Sequence, residues 1–209
     1  MKKLIVFDVD GTLFDTKNGI IAALNCVLSQ YGEKKIPVNE QDKYIGPAVR
    51  DSLMEYNGFS IDKAEKAANI YRDIYVKKYI SKSVPYPCLN EVLIELRNRG
   101  FILGIATMKT NRQVEKLLEM FNLTDVFQYI MAARDDGALT KEQMLIHICD
   151  YFKVGHQFVY MVGDTQGDYD AARNFGCYFI AADYGYGHIE EVEGVKHINT
   201  LYDVLKILI

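Results

Sequence analysis

Two aspartates two residues apart, Asp8 and Asp10, follow directly on the apolar run Leu4-Ile5-Val6-Phe7. The run is short, rich in β-favouring residues and free of polar alternation, so it reads as a buried strand of a parallel sheet. Open α/β sheets bind their ligands just beyond the carboxyl ends of the strands. A strand that ends in two carboxylates and then Gly11-Thr12 therefore sets acids where a ligand sits. Such a pair can attack a substrate, move protons and hold a hard divalent cation. Taken alone, Asp and Gly are also ordinary turn residues.

Other apolar runs end in polar residues too. Phe101–Ala106 precedes Thr107, and Phe158–Val162 precedes Gly163-Asp164, with Asp168 four residues further on. Lys141 opens a helical pattern carried by Met144, Leu145, Ile148, Cys149 and Phe152. A cation in the first turn opposes the helix dipole, a mild reason to look for another job for Lys141. Singly, Thr107 reads as a strand-end residue, and Asp164 and Asp168 as turn or helix-start acids. At the ends of successive strands they converge on one sheet edge.

The strands and helices that must position them are legible. Tyr178–Ala181 and the shorter Tyr129–Met131 are further strands, and Val114, Leu117, Leu118 and Phe121 share one helical face. Strand–helix–strand repetition from residue 87 predicts a parallel sheet with helices on both faces. Residues 16–86 break that rhythm. Ile20, Leu24, Val27, Leu28 and Tyr31 make one apolar stripe, and Ala67, Ile70, Tyr71, Ile74 and Tyr75 another, with no convincing strand between. The segment reads as a helical insertion, its first helix capped by Asp15 or Thr16 and its return marked by Val84-Pro85-Tyr86-Pro87. Gly46-Pro47 suits a turn opening a helix at Pro47, with Arg50 on its first turn.

Composition excludes several classes of function. At 209 residues, 49% apolar and 25% charged, the chain is that of a globular protein with one large domain or a domain and an appendage. No apolar run approaches a membrane span, and the one after Met1-Lys2-Lys3 stops at Asp8, too soon for a signal peptide, so a cytoplasmic protein is expected. Cys26, Cys88, Cys149 and Cys177 form no CxxC pair, which supports neither a zinc site nor a disulfide framework. A net charge of −4 without a basic cluster argues against nucleic acid as a partner. A monomer is expected, since no coiled-coil or edge-strand signal is present.

The string from Asp8 to Thr16, Asp-Val-Asp-Gly-Thr-Leu-Phe-Asp-Thr, resembles the first motif of the haloacid dehalogenase-like superfamily of phosphohydrolases. Thr107, Lys141 and Asp164 with Asp168 match its remaining motifs in order and type. Tyr44-Ile45-Gly46-Pro47, Ile105-Ala106-Thr107, Thr140-Lys141 and Tyr184-Gly185-Tyr186-Gly187 bring the phosphoglycolate phosphatase-like branch nearest. The resemblance implies an α/β, Rossmann-like core at 1–15 and 87–209 and a helical cap of the first class at 16–86. It implies Asp8 as nucleophile and Asp10 as general acid and base. Mg²⁺ would be held by the Asp8 carboxylate, the Asp10 carbonyl and the Asp164 carboxylate. Thr107 and Lys141 would hold phosphoryl oxygens. Asp168 would orient Lys141 or reach the metal through water. In related phosphomutases a cap arginine contacts substrate, so Arg50 is expected to read the non-reacting end of a small phosphorylated metabolite. Met108, Cys88 and Ala132 depart from the family pattern without removing a reactive group.

Other functions fit less well. A phosphomutase of the β-phosphoglucomutase type shares every core motif and differs only in the cap. A dehalogenase needs neither Asp10 nor Asp164. A phospho-accepting receiver domain leaves the insertion and the Asp164–Asp168 pair unexplained. Gly185-Tyr186-Gly187 is a poor dinucleotide fingerprint, since Glu190 stands where its third glycine belongs.

Overall fold

The computed structural model describes residues 2–133, 139–189 and 192–208. The chain opens with β1 (Lys3–Phe7) and the two-residue β2 (Phe14–Asp15). Then come the helices α1 (Lys17–Gln30), α2 (Val49–Asn57) and α3 (Ile61–Ile74), the last prolonged by a π-helical turn at Tyr75–Tyr79. After β3 (Val84–Pro85) follow α4 (Leu89–Asn98), β4 (Phe101–Thr110), α5 (Asn111–Met120), β5 (Tyr129–Ala133) and α6 (Lys141–Phe152). The chain closes with β6 (Val159–Gly163), α7 (Gln166–Phe175), β7 (Tyr178–Ala182), β8 (Lys196–Ile198) and the short α8 (Val204–Ile207).

Six strands form one sheet in the order β5-β4-β1-β6-β7-β8, and every pairing is parallel. β1 lies between β4 and β6, so its carboxyl end is flanked on both sides by other strand ends. Its side chains alternate between two cores, as the pleat requires. Ile5 and Phe7 pack with α4, α5 and α8, whereas Leu4 and Val6 pack with α6 and α7. Helices thus cover both faces, which explains the uninterrupted apolar character of β1.

Four features differ from the sequence reading. β4 continues past Thr107 to Thr110, with a register shift against β5 between those two threonines. The polar Lys109 and Thr110 hid this extension. β8, whose sequence is Lys-His-Ile, carries no apolar run and was not expected. A strand also closes the inserted segment: β3 pairs antiparallel with β2, Phe14 opposite Pro85, so the segment leaves and returns through one short ladder. Within it, α2 starts at Val49 rather than Pro47. Gly46, at φ +103°, already sits so close to the sheet-bearing part that a Cβ there would stand 2.8 Å from Thr165 Cγ2.

Phe7 is fully buried at the last position of β1 and edge-on to Phe127, with ring centroids 6.4 Å apart. Phe7→Ala is expected to cost about 3–5 kcal/mol, the range for emptying a well-packed aromatic site. Urea unfolding followed by circular dichroism measures it; a loss under 1 kcal/mol would mean that β1 is not the packing centre.

Candidate active site

Among the described residues six charged side chains are buried: Asp8, Asp10, Lys109, Lys141, Asp164 and Asp168. All six lie at or beyond the carboxyl ends of β1, β4 and β6 or in the first turn of the helices α6 and α7. Burying a charge is expensive unless it is paired, so six on one edge mark a built site. Four carboxylates face two ammoniums, which leaves two negative charges unmatched.

Asp8 follows β1, its backbone N–H donating to Val162 O at 2.9 Å. Lys141 Nζ lies 3.0 Å from Asp8 Oδ1 and closer still to Asp168 Oδ1. Asp8 Oδ1 is buried with no hydrogen bond of good geometry, its close cation being the Lys141 ammonium that Asp168 holds more tightly. Asp168 is better satisfied: its Oδ2 accepts from Thr165 Oγ1 at 2.6 Å and Thr165 N at 3.0 Å, the capping box of α7. Asp168 is thus fixed by its own helix start and holds Lys141 in place. Thr140 and Gln143 cap α6 in the same manner, which sets Lys141 in its first turn despite the dipole.

Asp164 follows β6 and is held by three donors. Thr12 Oγ1 donates to its Oδ1 at 3.2 Å, and Tyr186 N and Gly187 N donate to its Oδ2 at 2.8 and 3.4 Å. This contact explains the glycines of the Gly185-Tyr186-Gly187 segment. A Cβ on Gly185 would stand 2.2 Å from Asp164 Cβ, and one on Gly187 would stand 2.1 Å from Asp164 O. The glycines admit backbone to a carboxylate, not to a dinucleotide. Glu190, invoked against the dinucleotide fingerprint, lies outside the described residues.

Asp10 is held differently. Its Oδ1 accepts a short bond from Thr16 Oγ1 and lies 2.9 Å from Lys109 Nζ, itself buried and bonded to Tyr75 OH at 3.2 Å. Because Thr16 gives its hydroxyl to Asp10, it does not cap α1 with that side chain. Tyr186 OH takes over, accepting from Thr16 N at 2.6 Å and Lys17 N at 3.0 Å while donating to Asp15 Oδ1 at 2.6 Å. The expected cap by Asp15 is reduced to one long contact with Lys17 N at 3.3 Å.

The electrostatics follow from burial. Burial first, then the neighbouring Asp168, Asp10 and Asp164, pushes the Asp8 carboxyl up to about 8, since Lys141 is shared and only partly opposes them. Burial and Asp168 likewise push Asp164 up to about 7, against the pull of the Tyr186 N–H and Lys141. Burial alone would lower the two lysines, but Asp168 and Asp8 around Lys141, and Asp10 and Tyr75 around Lys109, hold both above their ordinary range. The residues fit a hard cation. Carboxylate oxygens of Asp8, Asp164 and Asp168 lie within 4.8 Å of one another, Asp8 Oδ1 has no hydrogen bond of good geometry, and oxygen-only ligands with two surplus negative charges suit a divalent ion.

The structure brings Asp8, Asp10, Lys141, Asp164 and Asp168 together, with Thr107 beside them. Phe7 pairs with Ile105, so Thr107 lies level with the Asp8–Asp10 loop, buried, its Oγ1 accepting from Lys109 N at 3.3 Å. Arg50 is not brought there. Its guanidinium pairs with Asp51 at 2.8 Å and approaches Glu65 on α3 at 3.9 Å, because both acids lie within its reach on the insertion's own surface. Sequence reading missed Thr12, Lys109 and Tyr186. Thr12 was inside the first motif, and Lys109, a lone lysine at an apolar strand end, was the available signal for the second cation.

A haloacid dehalogenase-like hydrolase family model matches residues 5–182. The chain is 29% identical to a phosphoglycolate phosphatase of Psychrobacter arcticus, over 91% of this chain and 87% of that protein. It is 28% identical to a 5'-nucleotidase of Pseudomonas aeruginosa, over 90% of this chain and 86% of that one. The crystal structure of a predicted phosphatase from Clostridium acetobutylicum superposes with a TM-score of 0.92 at 28% identity, covering 99% and 97% of the two chains.

A carboxyl whose folded-state pKa is raised contributes stability below its unfolded value, near 4, and loses it as pH rises through the folded value. In chelator the melting temperature should therefore fall between about pH 5 and 8, the window set by Asp164 and Asp8. Mg²⁺ should raise it at pH 8 by several degrees and far less at pH 5, where protons occupy the same oxygens. Differential scanning fluorimetry decides this; an equal Mg²⁺ shift at both pH values would place the metal elsewhere.

Proposed function

The chain belongs to the haloacid dehalogenase-like hydrolase family, in its phosphoglycolate phosphatase-like branch, and is a phosphoric monoester hydrolase; on that premise we propose a Mg²⁺-dependent phosphatase of small phosphate monoesters that works through an aspartyl-phosphate on Asp8. The observation that carries the reading is Asp8 Oδ1, a buried carboxylate oxygen without a hydrogen bond of good geometry, in a cluster two negative charges in excess. Residues 1–15 and 87–209 act as the hydrolase core and 16–86 as the cap. The protein acts as a cytoplasmic monomer.

A phosphate monoester is a dianion, and an anionic nucleophile needs its charge screened before it can approach. When bound, Mg²⁺ held by the Asp8 and Asp164 carboxylates and the Asp10 carbonyl supplies that screening and neutralises charge on the transferring group. Lys141, anchored by Asp168, and Thr107 hold phosphoryl oxygens. An Asp8 oxygen bonds to phosphorus as the ester P–O bond breaks, and protonated Asp10 gives its proton to the departing alkoxide. Asp10, now a carboxylate, takes a proton from a water whose oxygen attacks phosphorus. The Asp8 O–P bond then breaks, which releases phosphate and restores Asp8.

Asp8→Asn keeps the size but removes the nucleophilic charge, so turnover of p-nitrophenyl phosphate should fall on the order of 10⁴-fold with an unchanged circular dichroism spectrum. Retained wild-type hydrolysis would overturn the assignment.

Asp10→Asn removes a proton donor that matters most for a poor leaving group. Single-turnover phosphorylation by an alkyl phosphate should slow about 10²–10⁴-fold, and by an activated aryl phosphate much less. Equal losses on both would show that Asp10 is not the acid.

A further inference from the structure

Three cavities meet at Met108. The first, of about 40 Å³, lies beside Asp10 and is bounded by Lys109 and Gln113 on the core side and by Tyr44 and Tyr71 on the insertion side. The second, also of about 40 Å³, lies under Val49, Tyr71 and Arg72. The third is a cleft of about 690 Å³ between residues 42–51 and the starts of the helices α6 and α7, with Lys141 on its wall. A water requires roughly 10–15 Å³ measured in this way, so each small cavity holds about three water-sized groups. Of the three, only the cleft admits a larger body.

Gly46 and Pro47 of the insertion and Met108 of β4 border both the cavity beside Asp10 and the cleft, so these residues frame the passage between the two. Gly46 brings the insertion down to the core at this point, since Thr165 Cγ2 occupies the space a Cβ would need. Met108 is half-buried and packs on the apolar cluster that contains Leu4, Val6 and Met144. It follows directly on Thr107, among buried residues that are otherwise charged or hydroxylic, and there an unbranched apolar side chain is the exception.

The cleft beyond it offers apolar surface at Ile45, Pro47, Ala48 and Ala171. Of its charged residues, Asp42 pairs with Lys17, Lys43 with Glu40, Asp51 with Arg50 and Asp170 with Arg173. Among the described residues, no buried polar atom that lacks a partner belongs to a residue bordering the cleft. Arg50 borders none of the three cavities, so the selecting role that the sequence offered to it must fall to another residue.

We propose that Met108 is the specificity-determining residue of the site, and that it selects phosphate esters whose alcohol carries an uncharged, apolar, ring-sized body. The inference rests on the phosphatase reading, in which the ester oxygen reaches Asp10 while the phosphoryl oxygens reach Lys141. Met108 borders the spaces beside both residues, so the alcohol leaves the phosphorus along it. A ring is too large for the small cavity and passes beneath Gly46-Pro47 into the cleft. There Ile45, Pro47 and Ala48 approach it from the insertion, and Met108 and Ala171 from the core. Burial of apolar surface favours that placement, and a flexible, polarizable thioether adapts to a ring. A compact carboxylate gains less. In the small cavity it would meet a Lys109 ammonium already paired with Asp10 at 2.9 Å and would add a second anion beside that pair.

The test reads binding apart from chemistry. In an Asp8→Asn background with Mg²⁺, isothermal titration calorimetry should show benzyl and cyclohexylmethyl phosphate binding about tenfold or more tighter than ethyl phosphate and phosphoglycolate. Adding Met108→Gln keeps the length of the side chain but makes its end polar, and should bring the preference for the ring esters below about threefold. Met108→Leu keeps an apolar wall and should retain most of the preference. Ethyl phosphate or phosphoglycolate binding as tightly as the ring esters overturns the proposal. Equal losses on all the esters in Met108→Gln overturn it too, as does a preference lost as fully in Met108→Leu as in Met108→Gln. Hydrolysis of the same esters by the unaltered enzyme reports independently on the phosphatase reading. Ring-selective binding without turnover of any ester would sink that reading and leave the role of Met108 standing, whereas turnover without ring-selective binding would sink the proposal alone.

Discussion

The structure turns on a buried charge imbalance: four carboxylates and two ammoniums set together at one edge of a parallel sheet. In a low-dielectric interior, like charges this close cannot all stay ionised without help, and the raised carboxyls of Asp8 and Asp164 express that conflict. Packing alone does not resolve it, because the nearest donors are already assigned. Thr12, Tyr186 and Gly187 serve Asp164, Thr165 serves Asp168, and Thr16 serves Asp10. Asp8 is the one left with an unsatisfied oxygen. In the mechanism proposed above, this leaves the nucleophile as the site's acid with an unsatisfied oxygen, a lone pair free for phosphorus.

The parallel sheet is what makes this crowding feasible. Every strand of the sheet delivers its carboxyl end to the same edge, so β1, β4 and β6 contribute acids and cations from positions far apart in sequence. The helices that start there supply the remainder through their capping boxes. Thr140 with Gln143 and Thr165 with Asp168 satisfy the first-turn N–H groups, and this allows Lys141 to occupy a helix start that the dipole disfavours.

Much of this was legible because the chemistry and the backbone pattern coincide in the first motif. Asp8 and Asp10 ended an unmistakable buried strand, and Asp164 and Lys141 stood at the next strand and helix boundaries. The strand order was not legible, since it depends on which helix covers which face. β8 was hidden by its polar composition, and the end of β4 was hidden by Lys109. Lys109 escaped notice for a physical reason: a lysine becomes informative only once its burial is known, and nothing in Thr-Met-Lys-Thr separates a buried ammonium from a solvated one. Arg50 is the opposite case: its helix start was legible, but its pairing with Asp51 and approach to Glu65 were not.

The two acids of the first motif are therefore anchored by different parts of the molecule. Asp8 is set by β1, β6 and Lys141, all within the sheet-bearing part. Asp10 is set by Thr16, the last residue before the inserted helices, and by Lys109, whose other bond runs to Tyr75 inside the insertion. Tyr186 ties the start of the same insertion to the segment that holds Asp164. A rearrangement of the helices would thus reach Asp10 before it reached Asp8. In the mechanism proposed above, the group that forms the covalent bond is independent of the insertion, whereas the group that gives and takes the proton is positioned by it. The cavity beside Asp10 is bounded by Tyr44 and Tyr71 of that same insertion, so the surroundings of the proposed acid, like its anchors, come from both parts of the chain.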